Sequence, residues 1–327
     1  MIIVTGGAGF IGSALVWRLN QAGVRDVLIV DRLASDESKD AKRRNIEPLS
    51  FANYMDADEF LAAVTAGRFD RGVRAILHLG AISSTTETDA DLLRRNNTDY
   101  TRVLAEFAIH SGVRFIYASS AATYGDGSNA YADDIESLQQ LRPLNLYGES
   151  KHRFDLWAKS RGILDRIVGL KYFNVFGPNE YHKGDMKSVV VKAYDQIRRT
   201  GTVRLFKSCN PLYADGEQVR DFLYVKDAVD MTLFFLDRPK VNGIFNIGSG
   251  LTHTWKQLVT PVFHALNVPV AFDFIDMPAE IRDKYQYHTL ADMRRLRAAG
   301  YDAPVTPLNR AVSEYVRDFL IPDRVLT

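Results

Sequence analysis

Cysteine is nearly absent: Cys209 is the only one in 327 residues. No intrachain disulfide can form, which fits a reducing compartment and sets the expectation of a cytoplasmic protein. Cys209 itself reads as an inert small side chain. No apolar run reaches the ~20 residues that a membrane-crossing helix needs, so no membrane partner is expected. Strand-forming sequence starts at residue 2, so no cleaved signal peptide is expected. Charge of one sign is not in excess either. With 41 Lys and Arg against 40 Asp and Glu, the net charge is +1. That balance indicates neither a nucleic-acid partner nor an anionic surface. No Cys/His cluster has zinc-ligand spacing, so no metal is expected. Internal repeats and low-complexity tracts are also lacking. What remains is an ordinary globular composition, 46% apolar, in a chain long enough for one large or two modest domains.

The first half alternates strand and helix. Continuous apolar strands are expected at 2–5, 27–30, 75–79, 114–118 and 166–172. Helices are expected at 11–22, 57–66, 90–110 and 147–160. Buried strands separated by helices predict a doubly wound α/β fold with a parallel Rossmann-type sheet. In such folds ligands bind at the carboxyl ends of the strands. After Gly177-Pro178 the pattern becomes mixed. A helix at 188–199 precedes a loop rich in Gly, Pro, Asp and Tyr at 208–217, then short strands around a helix at 226–236. We divide the chain into a nucleotide-binding domain, 1–173 plus 217–247, and a smaller mixed α/β substrate domain, 174–216 plus 248–327.

The first strand runs directly into Gly6-Gly7-Ala8-Gly9-Phe10-Ile11-Gly12, and a helical stretch follows. Strand, glycine turn and helix in that order form a dinucleotide-binding context. Gly6 permits a tight turn, Gly9 a close approach to pyrophosphate, and Gly12 close packing of the helix. The helix N-terminus then faces the phosphates. The second strand ends in Asp31, where a ribose-binding acid is expected. Arg32 beside it suits the 2′-phosphate of NADP, and Lys39, Lys42, Arg43 and Arg44 add positive charge or form a solvated loop. The sequence therefore points to NADP or NAD as the cofactor and leaves the choice open.

Tyr147 and Lys151 lie four apart, on one face of a helix. A phenol titrates near pH ~10, and a neighbouring ammonium favours the phenolate. The pair describes a tyrosine that exchanges a proton with an alcohol or a carbonyl. Alone it also describes a surface helix.

Together, the glycine loop, Asp31 and the Tyr147/Lys151 pair resemble the extended short-chain dehydrogenase/reductase superfamily, which includes nucleotide-sugar epimerases and dehydratases. The segments 117–125, 143–148, 172–178 and 220–225 carry that resemblance along the whole chain. Finer features are Ser83-Ser84-Thr85-Thr86-Glu87, Ala121-Ala122, His182-Lys183-Gly184, Tyr285-Gln286 and the run 296–301. These resemble the ADP-glycero-manno-heptose 6-epimerase branch. The resemblance implies transient oxidation of one carbinol carbon of an ADP-linked heptose, on tightly held NADP, for lipopolysaccharide core synthesis. It implies an ADP-sugar as partner, and self-association as a homo-oligomer. Catalysis would fall to Tyr147, Lys151 and Ser120, with Lys183 as a second base. Cofactor contacts would come from Gly6, Gly9, Phe10, Ile11, Gly12, Asp31, Arg32, Lys42, Leu79, Gly80, Ala81, Ser83, Asn96, Lys151 and Val175. Substrate contacts would come from Ser83, Ser120, Asn174, Asp185, Lys192, Phe206, Arg220 and Tyr285. Taken singly, Lys183 reads as a surface lysine, Arg220 as the partner of Asp221, His182 as a loop residue and His78 as a core histidine. Arg32, and Ala57 where relatives can place a lysine, depart from the branch and bear on NADP preference. The Ser208–Gln218 loop is longer than in some relatives. A UDP-hexose 4-epimerase or a dehydratase is the alternative; Ala121 and Ala122 after Ser120 disfavour elimination, which usually places an acid there.

Overall fold

The β-branched run at the start of the chain forms β1 (Ile2–Thr5), with all four residues buried. A computed structural model describes residues 1–34, 41–69, 72–282 and 285–327. Strands β2 (Val27–Asp31), β3 (Asn53–Asp56), β4 (Ala75–His78), β5 (Arg114–Ser120) and β6 (Val168–Tyr172) follow. Next come β7 (Asn174–Phe176), β8 (Val203–Phe206), β9 (Val219–Arg220), β10 (Phe222–Tyr224), β11 (Gly243–Ile247), β12 (His253–Thr254) and β13 (Phe272–Ile275). Seven of these strands form one sheet in the order β11-β6-β5-β4-β1-β2-β3. Every pairing in it is parallel. The fold is therefore the doubly wound α/β fold that the alternation of elements predicts.

Along β1 the side chains divide between two cores. Ile2 and Val4 pack with the helices Phe10–Gln21 and Val225–Phe234. Ile3 packs with the helices Ala57–Thr65, Tyr100–His110 and Leu146–Ser160. This period-two division covers both faces of the sheet, so its central strands lack the polar alternation of a one-sided sheet. The remaining strands make three two-stranded sheets, β10–β7, β12–β9 and β13–β8.

Two elements differ from the sequence reading. β3, Asn-Tyr-Met-Asp, has no apolar run because it is an edge strand paired only with β2. The helix expected at 90–110 contains a π-helical turn, Arg94–Asp99, between Ala90–Leu93 and Tyr100–His110. Such widened turns occur often at functional sites.

The chain reverses its winding direction at β1, which lies between β2 and β4. Backbones meet closely there. Gly6 has φ +66°, and a Cβ on it would lie 2.7 Å from the Gly80 amide nitrogen. A Cβ on Gly12 would lie 2.0 Å from the Gly6 carbonyl oxygen. Gly12 thus closes the first turn of the helix onto the loop itself. Gly12→Ala should destabilise the fold by at least the ~1–3 kcal/mol of an overpacked core site. Chemical denaturation measures this, and an unchanged midpoint with an unchanged slope would refute the contact.

Candidate active site

The carboxyl ends of the central strands open into a cleft of about 630 Å³. Its lining includes every residue assigned to the cofactor from sequence: Gly6, Gly9, Phe10, Ile11, Gly12, Asp31, Arg32, Lys42, Leu79, Gly80, Ala81, Ser83, Asn96, Lys151 and Val175. It also includes Ser120, Tyr147 and Lys183. Residues far apart in sequence converge here because the parallel strands end at one edge of the sheet, where the loops after β1, β2, β4 and β5 meet the helix Leu146–Ser160.

At the glycine-loop end, Asp31 is buried and its carboxylate is divided. Oδ2 accepts from the Ala8 amide at 3.0 Å, so the acid braces the loop. Oδ1 accepts from the Arg32 amide at 2.8 Å and pairs with Lys42 Nζ at 2.9 Å. The Arg32 guanidinium reaches Asp58 through Nε at 3.3 Å and Nη2 at 2.6 Å. Asp58 holds that guanidinium above its ordinary pKa. Arg44 pairs with Asp323, Arg43 stands in the short helix Arg43–Ile46, and Lys39 lies outside the described residues. Ala57 also lines the cleft. A glycine cradle that a Cβ would fill, a helix N-terminus without acidic residues in its first turn and a strand-end acid fit a dinucleotide.

At the other end, Asn145 caps the helix Leu146–Ser160 by accepting from the Gly148 amide at 2.8 Å. That cap fixes the turn that carries Tyr147. Burial raises the Tyr147 pKa, and a hydrogen bond with Ser120 acts against the rise. The lowering expected from Lys151 is therefore not met: burial sets the direction, and the opposing influence comes from Ser120. Lys151 is 4% exposed. Burial lowers its pKa to about 8, and the Asp155 charge opposes that fall. Lys183 Nζ lies 5.2 Å from the centre of the Phe10 ring. Its pKa is also lowered by burial, with Glu180 opposing. His78 is a satisfied core residue. It bonds Thr5 Oγ1 at 2.6 Å and Thr101 Oγ1 at 2.9 Å, and burial drops its pKa to about 3. His182 lines the cleft, and burial lowers its pKa to about 4.

Six residues assigned to the substrate lie outside this lining: Asn174, Asp185, Lys192, Phe206, Arg220 and Tyr285. Three of them form a second cluster. Arg220 packs its guanidinium over the Tyr285 ring at 5.1 Å and the Trp255 ring at 5.6 Å. Phe206 meets Tyr285 edge-on at 6.4 Å. The local Arg220–Asp221 ion pair does not form. Asp221 instead accepts from Ser249 N and Oγ, Gly250 N and Ala291 N. Asn174 donates to the Asp221 carbonyl at 3.0 Å. Asp185 and Lys192 are exposed.

Residues 2–248 match the NAD dependent epimerase/dehydratase family. The chain belongs to that family. Its cofactor is a nicotinamide dinucleotide, in keeping with the glycine cradle. The chain is 52% identical over 320 residues to an ADP-L-glycero-D-manno-heptose-6-epimerase of Nitratidesulfovibrio vulgaris (strain DP4), covering 98% of each. It is 44% identical over 329 residues to the enzyme of that name from Fusobacterium nucleatum subsp. nucleatum, again covering 98% of each. Among solved structures it is similar to the Helicobacter pylori ADP-L-glycero-D-manno-heptose-6-epimerase. The TM-score is 0.80 at 25% identity, over 97% of this chain and 95% of that one.

Several supporting residues were not picked out from sequence. Buried Asn97 bonds the Ile82 amide and carbonyl and Ser150 Oγ, tying the π-helical turn to the helix Leu146–Ser160. Buried Glu180 accepts from Ser188 N and Oγ, Gly177 N and Tyr315 Oη, fixing the turn that carries Lys183. Both lie in polar stretches, Arg94–Asp99 and 177–184, so nothing in the sequence marks either as buried.

A lysine with a pKa of about 8 loses its charge well below the ordinary ~10.4. Turnover should therefore decline on the alkaline side with a midpoint near that value. A rate-against-pH profile with unchanged circular dichroism tests this, and a midpoint above pH ~10 would remove Lys151 from the titration.

Proposed function

We propose that the protein is an ADP-glycero-manno-heptose 6-epimerase, inverting the C6 carbinol of its substrate by transient oxidation to a ketone. This reading makes it a supplier of lipopolysaccharide core precursors. The observation that carries it is the meeting of two proton-transfer groups from separate elements in one cleft. Tyr147 comes from the helix Leu146–Ser160, and Lys183 from the turn Tyr181–Met186.

Inversion at an unactivated carbinol needs a planar carbon. The bound nicotinamide supplies hydride acceptance and hydride return. The chain's own residues move the proton and orient the sugar. The C6 hydroxyl points in different directions in the two epimers, so one base is poorly placed for both. Tyr147 serves one epimer, with Ser120 bonding the reacting oxygen. Lys183 serves the other. Burial makes the neutral amine of Lys183 more accessible near neutrality. Lys151, which lines the same cleft, would hold the nicotinamide ribose and supply positive charge to the pair.

We assign the ADP moiety to the second cluster. Arg220, unpaired with Asp221, suits a diphosphate because a guanidinium bonds it bidentately. Phe206 and Tyr285 offer aromatic faces to the nucleoside. Asn174, Asp185 and Lys192 are assigned to the sugar and its phosphates. We assign NADP over NAD because Lys42 pairs with Asp31 and Arg32, the next residue, also lines the cleft. Location in the cytoplasm and self-association belong to the same reading. Among the described residues, no helix is long and apolar enough to cross a membrane.

Purified protein incubated with ADP-D-glycero-D-manno-heptose should yield the L-glycero epimer by NMR. Turnover of a UDP- or dTDP-hexose with none of the heptose would overturn the assignment. Tyr147→Phe and Lys183→Met should each lower kcat by ~10²–10⁴ while cofactor stays bound, and near-normal rates would remove them from the mechanism. Cofactor released by denaturation should be NADP by mass spectrometry; recovery of NAD alone would reverse that choice.

A further inference from the structure

One turn beyond Lys151 on the same helix, and fully buried, lies Asp155. It does not line the cleft, and the mechanism above makes no use of it. Its Oδ1 accepts from Tyr117 Oη at 2.8 Å, and its Oδ2 accepts from Ser119 Oγ at 2.7 Å. Both donors belong to β5, and Ser119 directly precedes Ser120. Lys171, from β6, is fully buried and stands 4.0 Å from Oδ2. Lys171 donates to Thr123 Oγ1 at 2.9 Å, and Thr123 Oγ1 donates to the Ser120 carbonyl at 2.8 Å. Asp155 thus bonds the residue before Ser120, and its cationic neighbour bonds the threonine that holds Ser120 from the other side.

The charges are equally local. Two buried lysines, 151 and 171, share this carboxylate. Lys171 also feels Asp133 and sits 4.2 Å over the Tyr124 ring. Beside Lys151, β4 presents His78, which burial keeps neutral, and the Lys171 cation of β6 stands against the same Asp155 carboxylate. On its own helix are Tyr147 and Asp155. A buried ammonium needs an opposing charge, and Asp155 is the carboxylate that acts on Lys151.

We propose that Asp155 is a positioning residue for the proton-transfer step. Its carboxylate sets the spacing between Ser120 and the Tyr147/Lys151 turn and supplies the charge that retains Lys151 as an ammonium. The proposal rests on the reading of Tyr147 and Lys151 as the proton-transfer pair. Tyr117, Ser119 and Asp155 form a brace behind the reacting groups, out of reach of the sugar. Loss of the Asp155 charge acts on kcat and its pH profile and leaves KM for the ADP-sugar unchanged.

Asp155→Asn keeps the shape and removes the charge. In the cofactor-loaded enzyme, the alkaline limb of kcat should move down by about one pH unit or more, as loss of an opposing charge at this range does. For a one-unit shift kcat should fall about twofold at pH 7 and about fivefold at pH 8, and the gap to wild type should close as pH drops below about 6. Lys171 complicates the single variant, because it too loses a counter-charge and the fold can fail. Asp155→Asn combined with Lys171→Met removes that second cation. The double variant should regain stability yet keep the lowered limb. Recovery of wild-type kcat and limb in the double variant would overturn the proposal, leaving Asp155 as no more than the partner of Lys171. A single variant with wild-type kcat and limb would overturn it as well. Tyr147→Phe separates this failure from that of the underlying reading: full activity there undermines the pair itself, whatever Asp155→Asn does.

Discussion

The site depends on backbone touching backbone at the reversal of the sheet. Gly6 lies against Gly80, and Gly12 against Gly6, at separations that no side chain could share. Those contacts bring the loop after β1 and the loop after β4 to the same floor. The cleft is the space left above two loops that could not otherwise be neighbours. The helix N-terminus, the Asp31 carboxylate and the Ser83 segment all face it because their strands are parallel and end together. Replacing close backbone contact by side-chain packing would separate the dinucleotide half of the site from the half that carries Ser120.

Desolvation is the second organising influence. The lysines that matter are not presented on long solvated stems. Lys151 and Lys171 are buried, and each is destabilised as a cation by that burial. Carboxylates set back from the cleft, Asp155 and Glu180, oppose the effect at Lys151 and Lys183 respectively. The same residues also bind backbone and hydroxyl groups of the neighbouring elements. Charge balance and mechanical bracing are therefore carried by the same few side chains. A buried ion whose partner is lost is strongly destabilising, which makes these positions intolerant of single changes.

Much of this arrangement was legible in the sequence. Apolar runs located the central strands, because strands covered on both faces carry no polar alternation. The glycine loop and Asp31 located the dinucleotide end, since backbone geometry there demands particular residue types. The resemblance of 182–184 to one branch of the superfamily singled out Lys183, which would otherwise read as a surface lysine. The illegible parts share a physical cause. β3 lies at an edge and needs no apolar run. The π-helical turn at Arg94–Asp99 is polar throughout, so no apolar period marks the change of phase that a widened turn makes. The sign of the Tyr147 shift depends on how deeply the phenol is enclosed, and spacing along a helix carries no information about enclosure. The contribution of Asp155 depends on Tyr117, Ser119 and Lys171 arriving from other strands.

Asn45 is buried, and its amide nitrogen donates to the Ala8 and Asn179 carbonyls at 3.0 Å each. It also lies 3.3 Å from His182 Nδ1. Ala8 belongs to the dinucleotide loop, and His182 adjoins Lys183. One amide thus fastens the glycine loop to the turn that carries Lys183, the second base of the proposed function. The two cannot drift independently. A change in the dinucleotide loop that moves Ala8 therefore acts through Asn45 on the turn that carries Lys183.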